Sequence, residues 1–283
     1  MLQFMLAPLV ACLVLVGIHS YLGLHVIARE VIFVDLSLAQ MAALGSVVAL
    51  LYGVAPDSQT AFVFSLLFTC IGAALFALTR TRGKGRVPHE AIIGIVYVVA
   101  SAAAILVADR APRGADAIHD VLEGAIIWIT WPTIIKKGAA YGALGLLHFL
   151  LRKRFIAISF HPEEAERQGW NIRFWDFLFY MSFGVAVTMS VPVAGVLLVF
   201  TMLVVPAVVA FLFTRNVRKM VFISWGAGML ASLLGLYVSY AGNFPTGPAI
   251  VCMYGLVLLA AGVLRRLGVG RESAADVAPL PAD

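Results

Sequence analysis

The middle of this chain carries one short polar stretch, Phe160–Trp170, which reads FHPEEAERQGW. Nearly everything around it is apolar, and its charged side chains would each cost on the order of a few kcal/mol at the centre of a bilayer. Pro162 suits the first turn of a helix, the acidic residues behind it suit a helix N-terminus, and Gly169 can end the helix. The stretch therefore predicts a helix of one to two turns outside the membrane, between two spans, where a soluble partner can reach it.

The composition is that of an integral membrane protein. Of the 283 residues, 62% are hydrophobic and 12% are charged, with a mean hydropathy of +0.98, whereas soluble domains carry about 25% charged residues. The apolar runs are continuous and do not alternate, which excludes an outer-membrane barrel. We predict an all-α polytopic fold of about eight to nine transmembrane helices, because each span needs about 20 apolar residues. The net charge of +5 is explained by basic loops and requires no nucleic acid.

Nine apolar runs are predicted to cross the membrane. They are Phe4–Ile27, Val34–Tyr52, Ala61–Leu78, Ala91–Val107, Ile134–Leu151, Phe174–Val191, Val193–Phe213, Met220–Tyr240 and Pro248–Leu264. The run 121–131 is too short to cross, and Trp128 and Trp131 indicate that it lies at the interface; if it does span, the later half of the chain inverts. Residues 1–267 then form one transmembrane domain, with the polar helix at about 160–170, and residues 268–283 are expected to form a disordered cytoplasmic tail.

The basic residues predict the orientation. Groups follow the first, third, fifth, seventh and ninth spans: Arg29; Arg80–Arg86; Arg152–Arg154; Arg215 with Arg218 and Lys219; and Arg265 with Arg266. All of them lie on one side, which the positive-inside rule makes cytoplasmic. The N-terminus is then outside, and the polar stretch and the C-terminus are cytoplasmic. Lys136 and Lys137, at the outer end of the fifth span, go against the rule.

Few ionisable side chains fall within the spans. They are His19, His25, Asp35, His148 and Asp176. Asp35 and Asp176 begin their helices, where a carboxylate interacts favourably with the helix N-terminus, so a structural role explains them at least as well as a functional one. Ser37 and Gln40 in the second span either hydrogen-bond to neighbouring helices or line a pathway, and both interpretations stay open.

The sequence contains no nucleophile triad, phosphate loop, HExxH or CxxC motif. Any energy source is therefore on another chain or in an ion gradient. Cys12, Cys70 and Cys252 lie in apolar runs and are best explained as small buried residues. We predict that the chain is not an enzyme and has no cofactor of its own.

Several stretches resemble the permeases of zinc-, manganese- and iron-type ABC transporters. Residues 160–169 resemble that family's F-D-P-E-x-A-x-x-x-G pattern, residues 194–199 with Pro206 and Ala207 are similar to V-G-x-L-L-V…I-P-A, and residues 245–248 match P-T-G-P. Arg29–Gly45 is similar to the family's second-span region. The correspondence covers about Val10–Leu264, in order and with matching spacing.

The resemblance implies the permease subunit of an importer in the inner (plasma) membrane of a prokaryote. It implies a homodimer, a cytoplasmic ATPase that hydrolyses ATP, and an extracytoplasmic solute-binding protein that delivers a divalent metal. The permease would rock between outward- and inward-open states without bond chemistry of its own. The residues implied to bind the ATPase are His161, Pro162, Glu163, Glu164, Ala165 and Gly169.

The second span departs from the family pattern. The family carries G-D-x-L-S-H-A there, with an acid and a histidine one helical turn apart, which suits a transient divalent ion. Here Leu36 stands at the position of the acid and Gln40 at that of the histidine, and Asp35 is one residue away, about 100° around the helix. Either Asp35 and Gln40 form a shifted site, or the cargo is a non-metal or chelated compound.

Two other classes of protein stay open. An ion-coupled secondary transporter would carry paired acids or broken helices at mid-membrane, and the sequence has no clear acidic pair. An intramembrane scaffold or enzyme, in turn, would need a catalytic constellation, and none can be assembled from these residues.

Overall fold

The computed structural model describes residues 2–55, 58–80, 87–111, 124 and 126–269. Within these ranges the chain forms eleven α-helices and a 3-10 turn at Ile126–Trp128, with no strand. The helices are α1 Leu2–Ala28, α2 Val34–Leu51, α3 Gln59–Thr79, α4 His89–Ala108, α5 Trp131–Leu150, α6 Arg152–Phe160, α7 Pro162–Arg167, α8 Ile172–Ala194, α9 Val196–Phe213, α10 Val217–Gly242 and α11 Thr246–Arg266. The predicted basic loop beyond Arg80 and the predicted tail beyond 269 lie outside the described residues.

Eight of these helices are long and apolar enough to cross a membrane, and the bent pair α5 and α6 can form a ninth span. The predicted all-α fold with eight to nine spans is therefore confirmed. The helix ends agree with local sequence signals: Ser58 caps α3 by accepting the Ala61 N–H at 3.1 Å, and Asn171 caps α8 by accepting the Phe174 N–H at 3.2 Å. Such caps satisfy backbone donors that a helix leaves unpaired.

The helices pack in two groups that meet mainly where α8 contacts α1 and α9. One group holds α2, α3, α4 and α8, and the other holds α1, α9, α10 and α11. Helices approach closely where residues are small: a Cβ at Gly23 of α1 would lie 2.0 Å from the Leu203 carbonyl oxygen of α9. This is the packing expected in a bilayer, where lipid is as apolar as the side chains and contact depends on close fit.

The fifth predicted span does not end in a loop. At Leu151 the chain turns by 75°, and Arg152–Arg154, predicted as loop residues, form the first turn of a second helix, α6. The turn leaves the three basic residues exposed while Phe155 and Ile158 are fully buried, so α6 has an exposed first turn and a side that packs on the bundle.

The run predicted to lie at the interface is described in part. Its residues 126–128 form the 3-10 turn, in which Ile126 is buried and the Trp128 side chain is 73% exposed. Gly124 approaches the junction between α8 and α9, where Gly195 adopts a φ of 77°. A left-handed residue at this point allows one helix to end and the next to begin at once.

Candidate functional site

The polar stretch forms α7, a helix of six residues. His161, Pro162, Glu163 and Glu164 are exposed, whereas Ala165 is 1% exposed and faces the rest of the protein. The helix therefore presents its acidic side outward and rests on a small apolar contact.

Gly169 ends α7, as the sequence predicts. Its φ is +71°, its N–H bonds to the Glu166 carbonyl at 3.0 Å, and the Trp170 N–H bonds to the Ala165 carbonyl at 3.2 Å. These two bonds form a Schellman motif, which needs a left-handed residue at this position. The conformation gives Gly169 a backbone role at the end of the exposed helix.

A cavity of about 860 Å³ opens beside α7. Its described lining mixes apolar side chains, such as Leu78 and Phe177, with the charged side chains of Arg80, Glu166 and Arg173. The exposed helix thus borders a concave surface that a partner could also contact.

The helix before α7 is anchored in the protein. Only His161 separates α6 from α7. The guanidinium carbon of Arg154 lies 4.1 Å from the centre of the Trp170 ring, so the residue just after α7 packs back on α6. Phe155 stacks on His148 with ring centres 4.5 Å apart.

Four side chains meet where α6 packs on the bundle, and we call this cluster the buried joint: Arg29, Arg80, Ser159 and Asp176. Arg29 Nη1 donates to Asp176 Oδ1 at 2.6 Å, and Arg80 Nη1 donates to the other carboxylate oxygen. Arg29 Nε donates to Ser159 Oγ at 2.8 Å. Residues after α1, after α3, in α6 and in α8 are thereby linked through one carboxylate and one hydroxyl.

Three of the four side chains of the joint are almost inaccessible to solvent, whereas that of Arg80 is 23% exposed. The Arg29 and Asp176 side chains are 1% and 0% exposed, and the Arg29 guanidinium also lies 4.0 Å from the centre of the Phe179 ring. Burial lowers the pKa of Arg29 from its usual value, and the Asp176 carboxylate opposes that shift. Removing one partner of a buried pair typically costs about 3–5 kcal/mol of stability, because the other charge is left uncompensated. Each charge of the joint is therefore tolerated only because its partner is present.

The second-span candidates do not converge. α2 is a regular helix, so Asp35 and Gln40, five residues apart, point about 140° away from each other. Asp35 is 1% exposed, and its Oδ1 has no hydrogen-bond partner among the described residues. Ser37 donates to the Ile93 carbonyl of α4 at 3.2 Å, which favours the helix-packing interpretation of this serine, and Gln40 is half-buried.

A family model described as the ABC 3 transport family matches residues 1–265. The chain belongs to the ABC 3 transport family. The resemblance inferred from its motifs is thereby confirmed, and the protein is a multi-pass membrane permease of this family.

Relatives named for metal transport agree with this assignment, and a solved structure has a similar fold. The manganese transport system membrane protein MntC of Listeria innocua is 27% identical over 223 residues, covering 75% of this chain and 78% of the relative. A probable iron transport system membrane protein of Haemophilus influenzae is 26% identical over 219 residues, covering 75% and 77%. The structure of PsaBC from Streptococcus pneumoniae in complex with Fab is similar with a TM-score of 0.76, at 22% identity over 92% of this chain and 91% of the other.

Three histidines of this ABC 3 family member, His19, His25 and His148, lie within its long apolar helices. His25 and His148 have ring centres 6.4 Å apart, and each has one ring nitrogen 2.8 Å from a serine hydroxyl, of Ser159 and Ser182 respectively. His19 bonds to the Leu15 carbonyl at 2.9 Å. Across the described ranges, no group of three or more His, Cys, Asp or Glu residues could hold a metal ion.

Sequence reasoning about this permease did not foresee the buried joint. Asp176 was a candidate only as an acid at the start of a span, and Arg29 and Arg80 only as loop charges. One signal was present: a carboxylate in an apolar span needs a positive partner. Nothing local in the sequence says which arginine supplies it.

Proposed function

We propose that this chain is the permease subunit of an ATP-driven importer and that it carries a divalent transition metal ion, zinc, manganese or iron. The observation that carries the proposal is the family match over residues 1–265, together with relatives named for manganese and iron transport. ATP is hydrolysed on a separate cytoplasmic ATPase. This chain supplies the pathway and changes between outward- and inward-open states.

The ATPase binds α7 through His161, Pro162, Glu163, Glu164 and Ala165, with Gly169 shaping the end of the helix. The exposed acidic side of α7 and its small buried contact at Ala165 support this assignment. Acidic side chains on a short exposed helix suit a partner surface with basic residues.

In the proposed orientation, the N-terminus is outside the cell and α7 and the C-terminus are cytoplasmic. The basic groups after alternate spans support it. Lys137, which goes against the rule, has a local explanation, because it donates to the Met189 backbone carbonyl near the C-terminal end of α8. A cation at that end of a helix is favourable on its own account.

Two copies of the chain form the transporter, and an extracytoplasmic solute-binding protein delivers the cargo. We place Asp35 and Gln40 of α2 along the path. They lie about 140° apart on the helix, and Ala39, one turn after Asp35, offers no ligand. The cargo therefore does not meet an acid–imidazole pair on α2, which keeps a chelated metal as a second candidate.

The deciding experiment measures uptake of radioactive manganese, zinc and iron in cells lacking the genes of the permease, its partner ATPase and its binding protein. Restoring all three should restore uptake, and an ATPase without catalytic activity should not. Uptake by the permease alone would indicate an ion-coupled secondary transporter. Uptake of the metal only with a chelator would assign a chelated cargo, and no uptake in either form would refute the metal proposal.

A further inference from the structure

We propose that Ser159, Arg29 and Asp176 position the ATPase-binding helix, so that a movement of α7 is transmitted through this contact to α1 and α8. The inference rests on the proposed function, because it takes α7 as the contact with the ATPase. It assigns to the buried joint a role in coupling in addition to its role in folding.

α6 and α7 form one arm. A single residue, His161, separates them, and its N–H bonds to the Ala157 carbonyl at 2.8 Å, while the Glu164 N–H bonds to the His161 carbonyl at 3.1 Å. At the far end of α7, Trp170 packs under Arg154 of α6. Because both ends of α7 are tied to α6, a force on α7 displaces the arm as a unit.

The arm meets the bundle through two kinds of contact. Phe155 and Ile158 are fully buried and apolar, and apolar contacts are non-directional, so they permit small sliding movements. Ser159 is different, because its hydroxyl lies 2.8 Å from both Arg29 Nε and His25 Nδ1. Hydrogen bonds fail steeply with distance and angle, and a shift of the arm must therefore move Arg29 or break this contact.

Arg29 connects Ser159 with α8. Its Nη1 is held by Asp176 at 2.6 Å and its guanidinium lies over Phe179, so both main contacts beyond Ser159 belong to α8. Arg29 itself directly follows α1. A displacement of Ser159 consequently acts on the end of α1 and the start of α8 together.

The joint holds α8 at more than one residue. Two guanidinium groups share the Asp176 carboxylate, and the Arg29 guanidinium also interacts with Tyr180 of α8. Packed contacts of this kind switch between discrete arrangements and do not deform continuously. A movement of Arg29 is therefore expected to shift the start of α8 as a unit.

The test uses the permease purified with its ATPase and placed in proteoliposomes together with its solute-binding protein, where uptake of manganese, zinc or iron and ATP hydrolysis are measured together. Ser159→Ala removes the hydroxyl, and Ser232→Ala is the matched control, since Ser232 is 0% exposed and its hydroxyl lies 3.0 Å from that of Tyr254. Ser159→Ala should raise the ATP hydrolysed per ion transported about tenfold, the scale of a lost bond to a charged group. Ser232→Ala should leave the ratio within about twofold of wild type.

Two further variants and one control separate coupling from folding. Ser159→Thr keeps the hydroxyl and should restore the wild-type ratio, and the ATPase should copurify with all three serine variants. Asp176→Asn should also uncouple, whereas Asp109→Asn, at a carboxylate that is 78% exposed, should not. If Asp176→Asn lowers the yield of folded protein, Ser159→Ala decides. A wild-type ratio in Ser159→Ala, or an equal rise in Ser232→Ala, refutes the inference, while failure of the wild-type complex to transport refutes the proposed function instead.

Discussion

Arg29 and Asp176 are separated by 147 residues, and their side chains form a buried ion pair at 2.6 Å. The pair connects the residue after α1 with the first turns of α8. Each of these helices belongs to a different packing group of the bundle. One contact between charges thus fixes how the two groups meet at the end of the molecule that carries α7.

The pair should make a large contribution to stability. Arg29→Met leaves Asp176 with Arg80 alone and should lower the free energy of unfolding by about 1.5–3 kcal/mol, the scale of a lost hydrogen bond to a charged group, because Arg80 remains as a counter-charge. The measurement is thermal unfolding of the purified permease in detergent.

Arg110→Met is the matched control for this variant. Arg110 is 82% exposed and lies 3.6 Å from Asp109, and such a surface pair contributes about 0–1 kcal/mol. Equal losses in the two variants would contradict the importance of burial.

The spans and the exposed helix could be predicted from sequence for a simple reason. Both depend on local composition: apolar runs of membrane length, and a charged stretch framed by Pro162 and Gly169. The turn at Leu151 was missed because the basic residues after it have the composition of a loop. The helix becomes evident only when the burial of Phe155 and Ile158 is known, because these residues hold α6 against the bundle.

The buried joint could not be predicted in the same way. Its contacts join residues 147, 130 and 96 positions apart, and hydropathy carries no information about which charges pair. In the second span, by contrast, the arrangement of the candidate residues follows from local structure. Its helix was predicted correctly, and the regular geometry of that helix alone separates Asp35 from Gln40.

Charge reversal on α7 should detach the ATPase. Glu164→Lys changes an exposed side chain of the proposed contact, and it should abolish copurification of the ATPase while the permease stays folded, because like charges across an interface repel. Asp109→Lys makes the same change of charge at another exposed site and should leave copurification intact. Normal copurification with Glu164→Lys would remove this residue from the contact.

A side chain at Gly169, the residue with positive φ that ends α7, should destabilise the end of this helix. No atom lies within 4 Å of a Cβ added at Gly169, so Gly169→Ala introduces backbone strain without a clash, about 1–2 kcal/mol. We expect faster hydrogen exchange in residues 162–170 and weaker ATPase binding. Gly142→Ala, also with nothing within 4 Å but inside α5, should stabilise the helix slightly. Unchanged exchange in Gly169→Ala would show that the end of α7 tolerates another conformation.

The proposed orientation of the chain in the membrane can be tested by cysteine labelling. In a protein whose three native cysteines are replaced, Gln59→Cys at the start of α3 should react with an impermeant maleimide added outside intact cells. Arg167→Cys on α7 should react only after the cells are opened. Both side chains are exposed, so access alone decides the result. The reverse pattern would place α7 outside the cell.

Variants in the second span should distinguish a residue that contacts the cargo from one that only packs against other helices. Asp35 is buried, and one carboxylate oxygen has no partner among the residues described, so Asp35→Asn removes an unfavourably buried charge and should not lower the melting temperature. If Asp35 contacts the cation, the same variant should lower the rate of uptake about tenfold, the effect of about 1.4 kcal/mol. Gln40→Ala should reduce uptake independently, and the two effects should multiply, because the side chains lie on different faces of α2. Ser37→Ala, which removes the bond to Ile93, reports the effect of packing alone. A lower melting temperature with unchanged uptake in Asp35→Asn would assign Asp35 to the fold and not to the path.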